Sequence, residues 1–191
     1  MTPRRKIIVS IATSADGYIA RPDGNVDWLN RPRTAGDYGM SAFLRSIDTI
    51  IWGRKTYDFA LQHGGVAMFG PKVKNYVFST RPPQPLPTDV TFVNEPVADF
   101  VQRLRSERGK NIWMMGGAGI IGSFLDAGAL DEFIIHIIPI FIGDGIPIAA
   151  AKDRHVPLTL TSVRKYADGV VGLHYTVGSK VPRGSRRNKS A

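Results

Sequence analysis

The sequence predicts an α/β fold in which a mostly parallel central sheet carries helices on both faces and ends in an antiparallel hairpin. Two observations support this prediction. Apolar runs of strand length alternate with segments of helical periodicity over most of the 191 residues, an order typical of parallel sheets covered by helices. The last two alternating runs, Leu158 to Tyr166 and Val170 to Val177, are separated only by Ala167-Asp168-Gly169. Such a short turn between two strands indicates a hairpin.

The first part of the chain supplies two strands and one helix. Lys6 to Ala12 is a β-branched run that is apolar on both faces, so we expect it to be a central strand. Thr13 to Gly24 contains several turn residues and is expected to be a loop. Met40 to Ile47 has apolar side chains at spacings of three and four, which predicts an amphipathic helix. Thr49 to Trp52 is the next buried strand.

The middle of the chain repeats this alternation. Asn75 to Phe78 predicts a third strand, and Thr91 to Val93 predicts a weaker one. Pro96 to Arg108 has the apolar spacing of a helix. Ile112 to Met115 is an apolar run of strand length, and a helix is expected after it as far as about Ala127.

The C-terminal part completes one predicted domain, residues 1–177. Glu132 to Ile138 is a strand that Pro139 closes, and the hairpin follows. Residues 178–191 are rich in glycine, serine and basic side chains, so we expect a disordered tail. Within it, residues 181–185 match a thrombin-cleavage linker, and the tail is left out of the fold prediction.

A glycine turn joins the strand ending at Met115 to the next helix. Gly116 and Gly117 lack a Cβ atom, so a ligand could approach the bare backbone there. The N-terminus of the following helix offers unpaired N–H groups and the positive end of the helix dipole. The turn is therefore interpreted as a phosphate cradle, with a ligand-free packing turn as the alternative.

Basic and hydroxyl side chains follow two other predicted strands. Gly53-Arg54-Lys55-Thr56 comes after one strand, and Ser79-Thr80-Arg81 comes after the next. Cations at a helix N-terminus oppose the helix dipole unless an anion is bound there. The carboxyl ends of parallel strands meet at one edge of a sheet. We therefore expect these segments and the glycine turn to bind one long anionic ligand, the alternative being solvated surface charges.

Composition restricts the remaining possibilities. The chain has no cysteine, which excludes disulfides and thiolate metal sites, and its four histidines show no metal-ligand spacing, so we predict no metal. It has no apolar stretch long enough to span a membrane and no signal-peptide pattern, so we expect no membrane association and a cytoplasmic location.

The net charge of +9 raises the alternative of a protein associated with nucleic acid. Eight of the 25 basic residues lie at the two ends, which we expect to be mobile: Arg4, Arg5, Lys6, Lys180, Arg183, Arg186, Arg187 and Lys189. Residues 7–177 keep 17 basic against 16 acidic residues, a net charge of +1. We therefore predict no specific nucleic-acid partner.

Five motifs in order resemble the dihydrofolate reductase-like superfamily. They are Ser10-Ile11-Ala12 with Asp16-Gly17-Tyr18-Ile19-Ala20, Gly53-Arg54-Lys55-Thr56, Ser79-Thr80-Arg81, Met115-Gly116-Gly117, and Gly143-Asp144-Gly145. The resemblance spans about residues 5 to 177. Its nearer branch is the C-terminal domain of the riboflavin-biosynthesis reductase, together with its stand-alone relatives.

This resemblance implies a reductase that binds NADPH across the sheet edge. Around the 2′-phosphate it implies Gly53, Arg54, Lys55, Thr56, Ser79, Thr80 and Arg81. Around the pyrophosphate it implies Met115, Gly116, Gly117, Ala118, Gly119, Ile120 and Ile121, and beside the nicotinamide Ala12 and Ile19. The cations agree with this cofactor independently, because the bare ribose of NADH usually binds an acidic residue.

The substrate side is less defined. The predicted substrate is a small carbonyl or imine compound, pterin-, flavin-precursor- or ribosyl-like. Candidate catalytic residues are Asp16, Asp37 and Tyr38, and candidate substrate contacts are Trp28 and Phe43. The superfamily's acidic residue, four positions before Phe43, falls on Gly39, so the sequence does not point to dihydrofolate.

Three further expectations complete the sequence analysis. The resemblance and the apolar 133–142 region indicate a homodimer, the alternative for this region being a central strand of the sheet. A cofactor-binding relative without turnover is an alternative that the sequence does not separate from an active reductase. His136, between isoleucines, is interpreted as a core histidine.

Overall fold

The computed structural model describes residues 4–32 and 36–178. The predicted disordered tail therefore lies, apart from Gly178, outside the described residues. The strands are β1 Ile7–Ser14, β2 Tyr18–Ala20, β3 Ile47–Gly53, β4 Lys74–Phe78, β5 Thr91–Val93, β6 Asn111–Gly116, β7 Glu132–Ile138, β8 Ile146–Pro147, β9 Leu158–Lys165 and β10 Val171–Val177. The α-helices are α1 Met40–Ser46, α2 Arg54–Leu61, α3 Val97–Ser106 and α4 Ala118–Asp126, and 3-10 turns cover Asp27–Leu29 and Val66–Phe69.

One eight-stranded sheet runs in the order β5-β4-β3-β6-β1-β7-β10-β9. The first six strands in this order pair in parallel, whereas β10 pairs antiparallel with both β7 and β9. The predicted fold class is thereby confirmed, including the C-terminal hairpin. β1 is central because both of its faces are apolar, as its sequence predicted.

Helices cover both faces of the sheet. On one face, α3 and α4 contribute Phe100, Leu104 and Phe124 to a buried cluster around β1, β3 and β6. On the other face, α1 and α2 pack with Trp52 and Trp113 in a second cluster. The alternation of side chains along each strand produces these two layers, because successive residues point to opposite faces.

A separate two-stranded sheet, β2 with β8, was not predicted. Its strands have three and two residues and lie among glycine and proline turn residues, which predict a loop. Gly145 passes so close to β2 that an added Cβ would collide with the carbonyl oxygen of Ala20. The region predicted as a loop over Thr13 to Gly24 therefore contains the end of β1 and all of β2.

The expectation that the N-terminal cations are mobile is wrong. Arg5 is only 3% exposed and donates to the Asp48 carboxylate, to Thr49 Oγ1 at 2.7 Å and to the Lys110 carbonyl at 2.8 Å. Arg4 and Lys6 pair with Asp131 and Glu132. A buried guanidinium requires such partners, but the Arg-Arg-Lys sequence alone gave no sign of carboxylates so distant in the chain.

Strand β9 forms an open edge of the sheet. All eight of its residues are exposed, including the apolar Leu158, Leu160 and Val163. These three pair across the ladder with Val177, Tyr175 and Leu173 of β10.

No helix among the described residues is long and apolar enough to cross a membrane.

Candidate functional site

Three strand ends come together at the carboxyl edge of the sheet. Gly53 at the end of β3 pairs with Phe78 of β4, and Trp52 pairs with Gly116 of β6. The segments that follow these strands therefore start side by side. The structure brings together the glycine turn, the cations after β3 and the hydroxyls after β4, as the sequence predicted.

The glycine turn packs directly against the start of α2. A Cβ added to Gly53 would lie 3.2 Å from Gly116 O and 3.3 Å from Gly117 N, and a Cβ on Gly117 would lie 3.1 Å from Thr56 Oγ1. Gly116 has φ +118°, a backbone conformation that residues with a side chain rarely adopt. The peptide between Gly116 and Gly117 is cis. Small residues are therefore required here for backbone to meet backbone.

Two helix N-termini converge at this contact. α2 begins after Gly53 and α4 begins after Gly117, and no side chain hydrogen-bonds to cap either start. Their first N–H groups are donors that the helices themselves do not satisfy. The arrangement fits a pyrophosphate, because two uncapped helix starts, with no side chain on the glycines between them, supply N–H donors and the positive ends of two helix dipoles.

Arg54 links α2 to the turn after β4. Its Nε donates to both carboxylate oxygens of Asp58 at 2.8 and 2.9 Å, and its Nη1 donates to the Arg81 carbonyl at 2.7 Å. Its guanidinium carbon lies 5.8 Å from the ring centroid of Phe92. The Arg54 side chain therefore connects the start of α2 to the turn after β4, in addition to carrying a positive charge.

The other predicted phosphate contacts are less constrained. Lys55 and the Arg81 side chain are exposed, and neither makes a hydrogen bond or ion pair with another described residue. Ser79 Oγ accepts the Arg81 N–H at 3.1 Å, which orders the turn around Thr80. The cations of Lys55 and Arg81 and the hydroxyls of Ser79 and Thr80 are therefore available to an anion bound beside Arg54.

Ala12 and His136 lie next to each other at the other half of this edge. Ala12 of β1 pairs with His136 of β7, which pairs with Gly172 of β10. The absence of a side chain on Gly172 makes room for His136 and Tyr166, which an added Cβ would meet at 3.5 and 3.3 Å. Burial lowers the pKa of His136 below its usual value, which favours a neutral imidazole at pH 7.

An aromatic group surrounds His136. The Tyr38 ring centroid lies 5.9 Å from that of His136 and 5.0 Å from that of Tyr166. Trp28, only 6% exposed, forms a buried cluster with Ile138 and Val170, and Ala12, Tyr38 and Tyr166 pack against this cluster. The half-buried His136 and Tyr38 thus stand beside the strand end where the resemblance places a nicotinamide.

Asp168 is a functional candidate that the sequence analysis missed. Its side chain is 4% exposed; it accepts the Tyr38 hydroxyl, and Arg31 donates to its backbone carbonyl at 2.8 Å. The Tyr38 hydrogen bond holds the pKa of Asp168 below its usual value. An Asp-Gly pair in a hairpin turn signals only a turn, so the sequence contained no sign of this buried role.

The remaining candidates have structural partners. Asp16 accepts the N–H of Gly143 at 2.8 Å and that of Ile142, so it reaches beyond its own turn. Asp37 accepts the N–H of Ser41 at 2.8 Å, and hydrogen bonds from Ser41 lower its pKa to about 2. Phe43 packs edge-on against Trp113 at 5.3 Å, in a cluster separate from that of Trp28.

Ile19 lies in β2 and is half-buried. Gly117 precedes α4, and residues 118–121 form the first turn of this helix. Ile121 is buried, and Ile120 Cγ2 would lie 3.1 Å from a Cβ added to Gly53. Among the described residues, no group of three or more histidine, aspartate or glutamate side chains could hold a metal ion. The absence of a metal stays a prediction.

The sequence as a whole matches one family model. The model describes the RibD C-terminal domain and covers residues 5–172. The chain belongs to this family. A similar protein is the uncharacterized protein YwjB of Bacillus subtilis (strain 168), which is 39% identical over 171 residues. The matched region is 90% of this chain and 97% of YwjB.

Solved structures agree with membership of the RibD C-terminal domain family. A putative riboflavin biosynthesis protein from Shewanella sp. PV-4 is 27% identical with a TM-score of 0.79, over 91% of this chain and 99% of that one. Dihydrofolate reductase from Enterococcus faecalis, complexed with NADP(H) and RAB-propyl, has a TM-score of 0.62 over 91% of this chain and 97% of that one. At 13% identity, this second likeness shows the dihydrofolate reductase-like fold alone.

Proposed function

We propose that the protein is an NADPH-dependent reductase of a small carbonyl or imine substrate. The observation that supports this most is the contact between Gly53 and Gly117, where two uncapped helix starts meet beside Lys55, Arg81 and two hydroxyls. A pyrophosphate suits the helix starts. A 2′-phosphate suits the cations.

NADPH, when bound, would supply a hydride for the electrophilic carbon of a C=O or C=N bond, and a proton would go to the oxygen or nitrogen. The chain would contribute binding, orientation and exclusion of water. Ala12 and Ile19 would contact the nicotinamide. Trp28, Tyr38 and His136 would line the substrate side, and the substrate class includes pterin-, flavin-precursor- and ribosyl-like compounds.

Several accompanying assignments belong to the same proposal. The catalytic domain is residues 1–177, and the protein works in the cytoplasm as a homodimer. The nucleic-acid alternative loses support, because Arg4, Arg5 and Lys6 pair with Asp131, Asp48 and Glu132. Five of the nine net positive charges lie in residues 178–191, and the other four lie in residues 4–177, where these three cations are held by carboxylates.

Cofactor binding tests the proposal directly. In tryptophan-fluorescence titrations, NADPH should bind at least about tenfold more tightly than NADH, because one charge-assisted contact contributes roughly 1.5 kcal/mol or more. Arg81→Ala should erode this preference while leaving NADH affinity nearly unchanged, since its side chain has no other partner among the described residues. Arg54→Ala should lower the affinity for both cofactors, because it also removes the hydrogen bond to the Arg81 carbonyl that connects the two parts of the site.

Arg45→Ala is a matched control. Arg45 is an exposed cation at the end of α1, at the opposite edge of the sheet, so both affinities should stay at the parent values. Equal affinity of the parent protein for NADH and NADPH would contradict the 2′-phosphate site. If the parent protein bound neither cofactor, the proposal of a reductase would be contradicted. If NADPH binds, turnover with a panel of carbonyl and imine compounds separates an active enzyme from a relative without turnover.

A further inference from the structure

Asp58 places a negative charge inside the predicted 2′-phosphate site. It lies one helical turn after Arg54, and its two carboxylate oxygens accept the same Nε–H. The Nη1 group of Arg54 is bound to the Arg81 carbonyl. Two of the three guanidinium nitrogens are therefore engaged by protein oxygens before any ligand arrives.

This pairing changes what Arg54 can do for an anion. A guanidinium beside a carboxylate forms a nearly neutral pair, so its attraction for a phosphate a few ångströms away is largely offset. Of the three cations that follow β3 and β4 in this site, Lys55 and Arg81 have no carboxylate partner among the described residues. Both are exposed, so both can turn toward a bound anion.

An acidic residue near the adenosine ribose also has a chemical preference of its own. A carboxylate accepts hydrogen bonds from a bare ribose diol but repels a 2′-phosphate. Asp58 is 44% exposed in its side chain and Arg54 is 36% exposed. Solvent therefore screens the repulsion without removing it.

We propose that Asp58 is a positioning residue that sets cofactor selectivity. It holds the Arg54 side chain in place between α2 and the turn after β4, and it offsets the positive charge of Arg54. Lys55 and Arg81 are then left to bind the 2′-phosphate. The inference rests on the proposed function and deepens it. If Asp58 acts in this way, the ratio of NADPH affinity to NADH affinity is smaller than three cations without a carboxylate would produce. Removing the charge of Asp58 then increases the discrimination.

Asp58→Asn tests this in the full chain. Asparagine has nearly the same shape and keeps an oxygen that can accept Arg54 Nε, so Arg54 stays in place while one negative charge is lost. The affinity for NADPH should rise by about two- to tenfold at low ionic strength, and that for NADH should change by less than about twofold. The gain should shrink as salt is added, because exposed charges are screened.

Asp126→Asn is the matched control. Asp126 also accepts an arginine Nε, that of Arg154, and the substitution removes the same charge at the far end of α4. Its ratio of NADPH to NADH affinity should equal that of the parent. Competition by 2′-AMP and 5′-AMP gives a second reading of the ratio that is independent of turnover.

The outcomes separate the inference from the function on which it rests. An unchanged ratio in Asp58→Asn would overturn the inference. A lower ratio would overturn it too, because the carboxylate would then be needed to orient Arg54 toward the phosphate. Failure of the parent protein to bind either cofactor would remove the proposed function as well, whereas a parent preference for NADPH that Asp58→Asn leaves untouched would remove this inference alone.

Discussion

At the scale of single residues, the site depends on where side chains are absent. Gly53, Gly116 and Gly117 allow two turns of the backbone to touch, and two different reasons make them glycine. Gly53 and Gly117 have neighbours within 3.3 Å of an added Cβ, whereas Gly116 has a φ of +118° and no neighbour closer than 3.6 Å. Space restricts the first two, and backbone conformation restricts the third.

Gly116→Ala should lower the free energy of unfolding by at least about 1 kcal/mol, because alanine is strained at that φ. Urea unfolding followed by circular dichroism measures the change. Gly119→Ala is the control, since Gly119 has no atom within 4 Å of an added Cβ and alanine favours the helix. A loss in the control as large as that in Gly116→Ala would show that the conformation of Gly116 is not the cause.

At the scale of elements, the turn of the β9–β10 hairpin holds the segment before α1. The Tyr38 hydroxyl donates to Asp168, and the Tyr166 hydroxyl donates to the Tyr38 carbonyl at 3.0 Å. Arg31, seven residues before Tyr38 in the chain, donates to the Asp168 carbonyl. The side chains near His136 are thus positioned by a hairpin that begins more than a hundred residues later in the chain.

Tyr38→Phe should lower the thermal midpoint of unfolding, because it leaves a buried Asp168 oxygen without this donor. Differential scanning calorimetry measures the shift. The double variant Tyr38→Phe with Asp168→Asn should recover part of it, since a neutral amide loses less than a carboxylate when the hydroxyl donor is missing. Arg31, whose Nη2 lies 3.8 Å from the Asp168 carboxylate, keeps its hydrogen bond to the Asp168 backbone carbonyl. Tyr18→Phe is the control, because the Tyr18 hydroxyl makes no hydrogen bond within the described residues. Equal midpoints for the two phenylalanine variants would contradict this account.

What the sequence predicted at this scale follows from the length of each pattern. β1, β7 and the hairpin strands contain seven or eight residues, long enough for their apolar patterns to identify them. β2 and β8 are held by contacts across the fold, such as that between Gly145 and Ala20. The partners of Arg5 and Asp168 are likewise set by topology, which no local pattern encodes.

At the scale of the whole molecule, the open edge at β9 bears on the homodimer, which stays a prediction. Leu158, Leu160 and Val163 carry no charge and are 44%, 49% and 58% exposed. Two copies could meet there without burying an ion. Sedimentation velocity at micromolar concentration should give a dimer mass, and Leu160→Asp should give a monomer.

The control for this experiment is Leu61→Asp. Leu61 is 52% exposed but ends α2, apart from the hairpin, so the dimer mass should persist. A monomer mass for the parent protein would contradict the homodimer. Dissociation by both substitutions would instead place the interface elsewhere or attribute the loss to the added charge.

The central place of β1 also has a consequence for synthesis on the ribosome. Ile7 pairs with Ile112 and Ile8 with Glu132, whereas β3 and β4 pair with each other much earlier in the chain. A nascent polypeptide must therefore carry an unpaired, strongly apolar strand until β6 and β7 have left the exit tunnel. An apolar strand that stays unpaired in this way is prone to aggregate, which is the kind of surface that chaperones bind. Slower translation beyond β4 would lengthen this exposure.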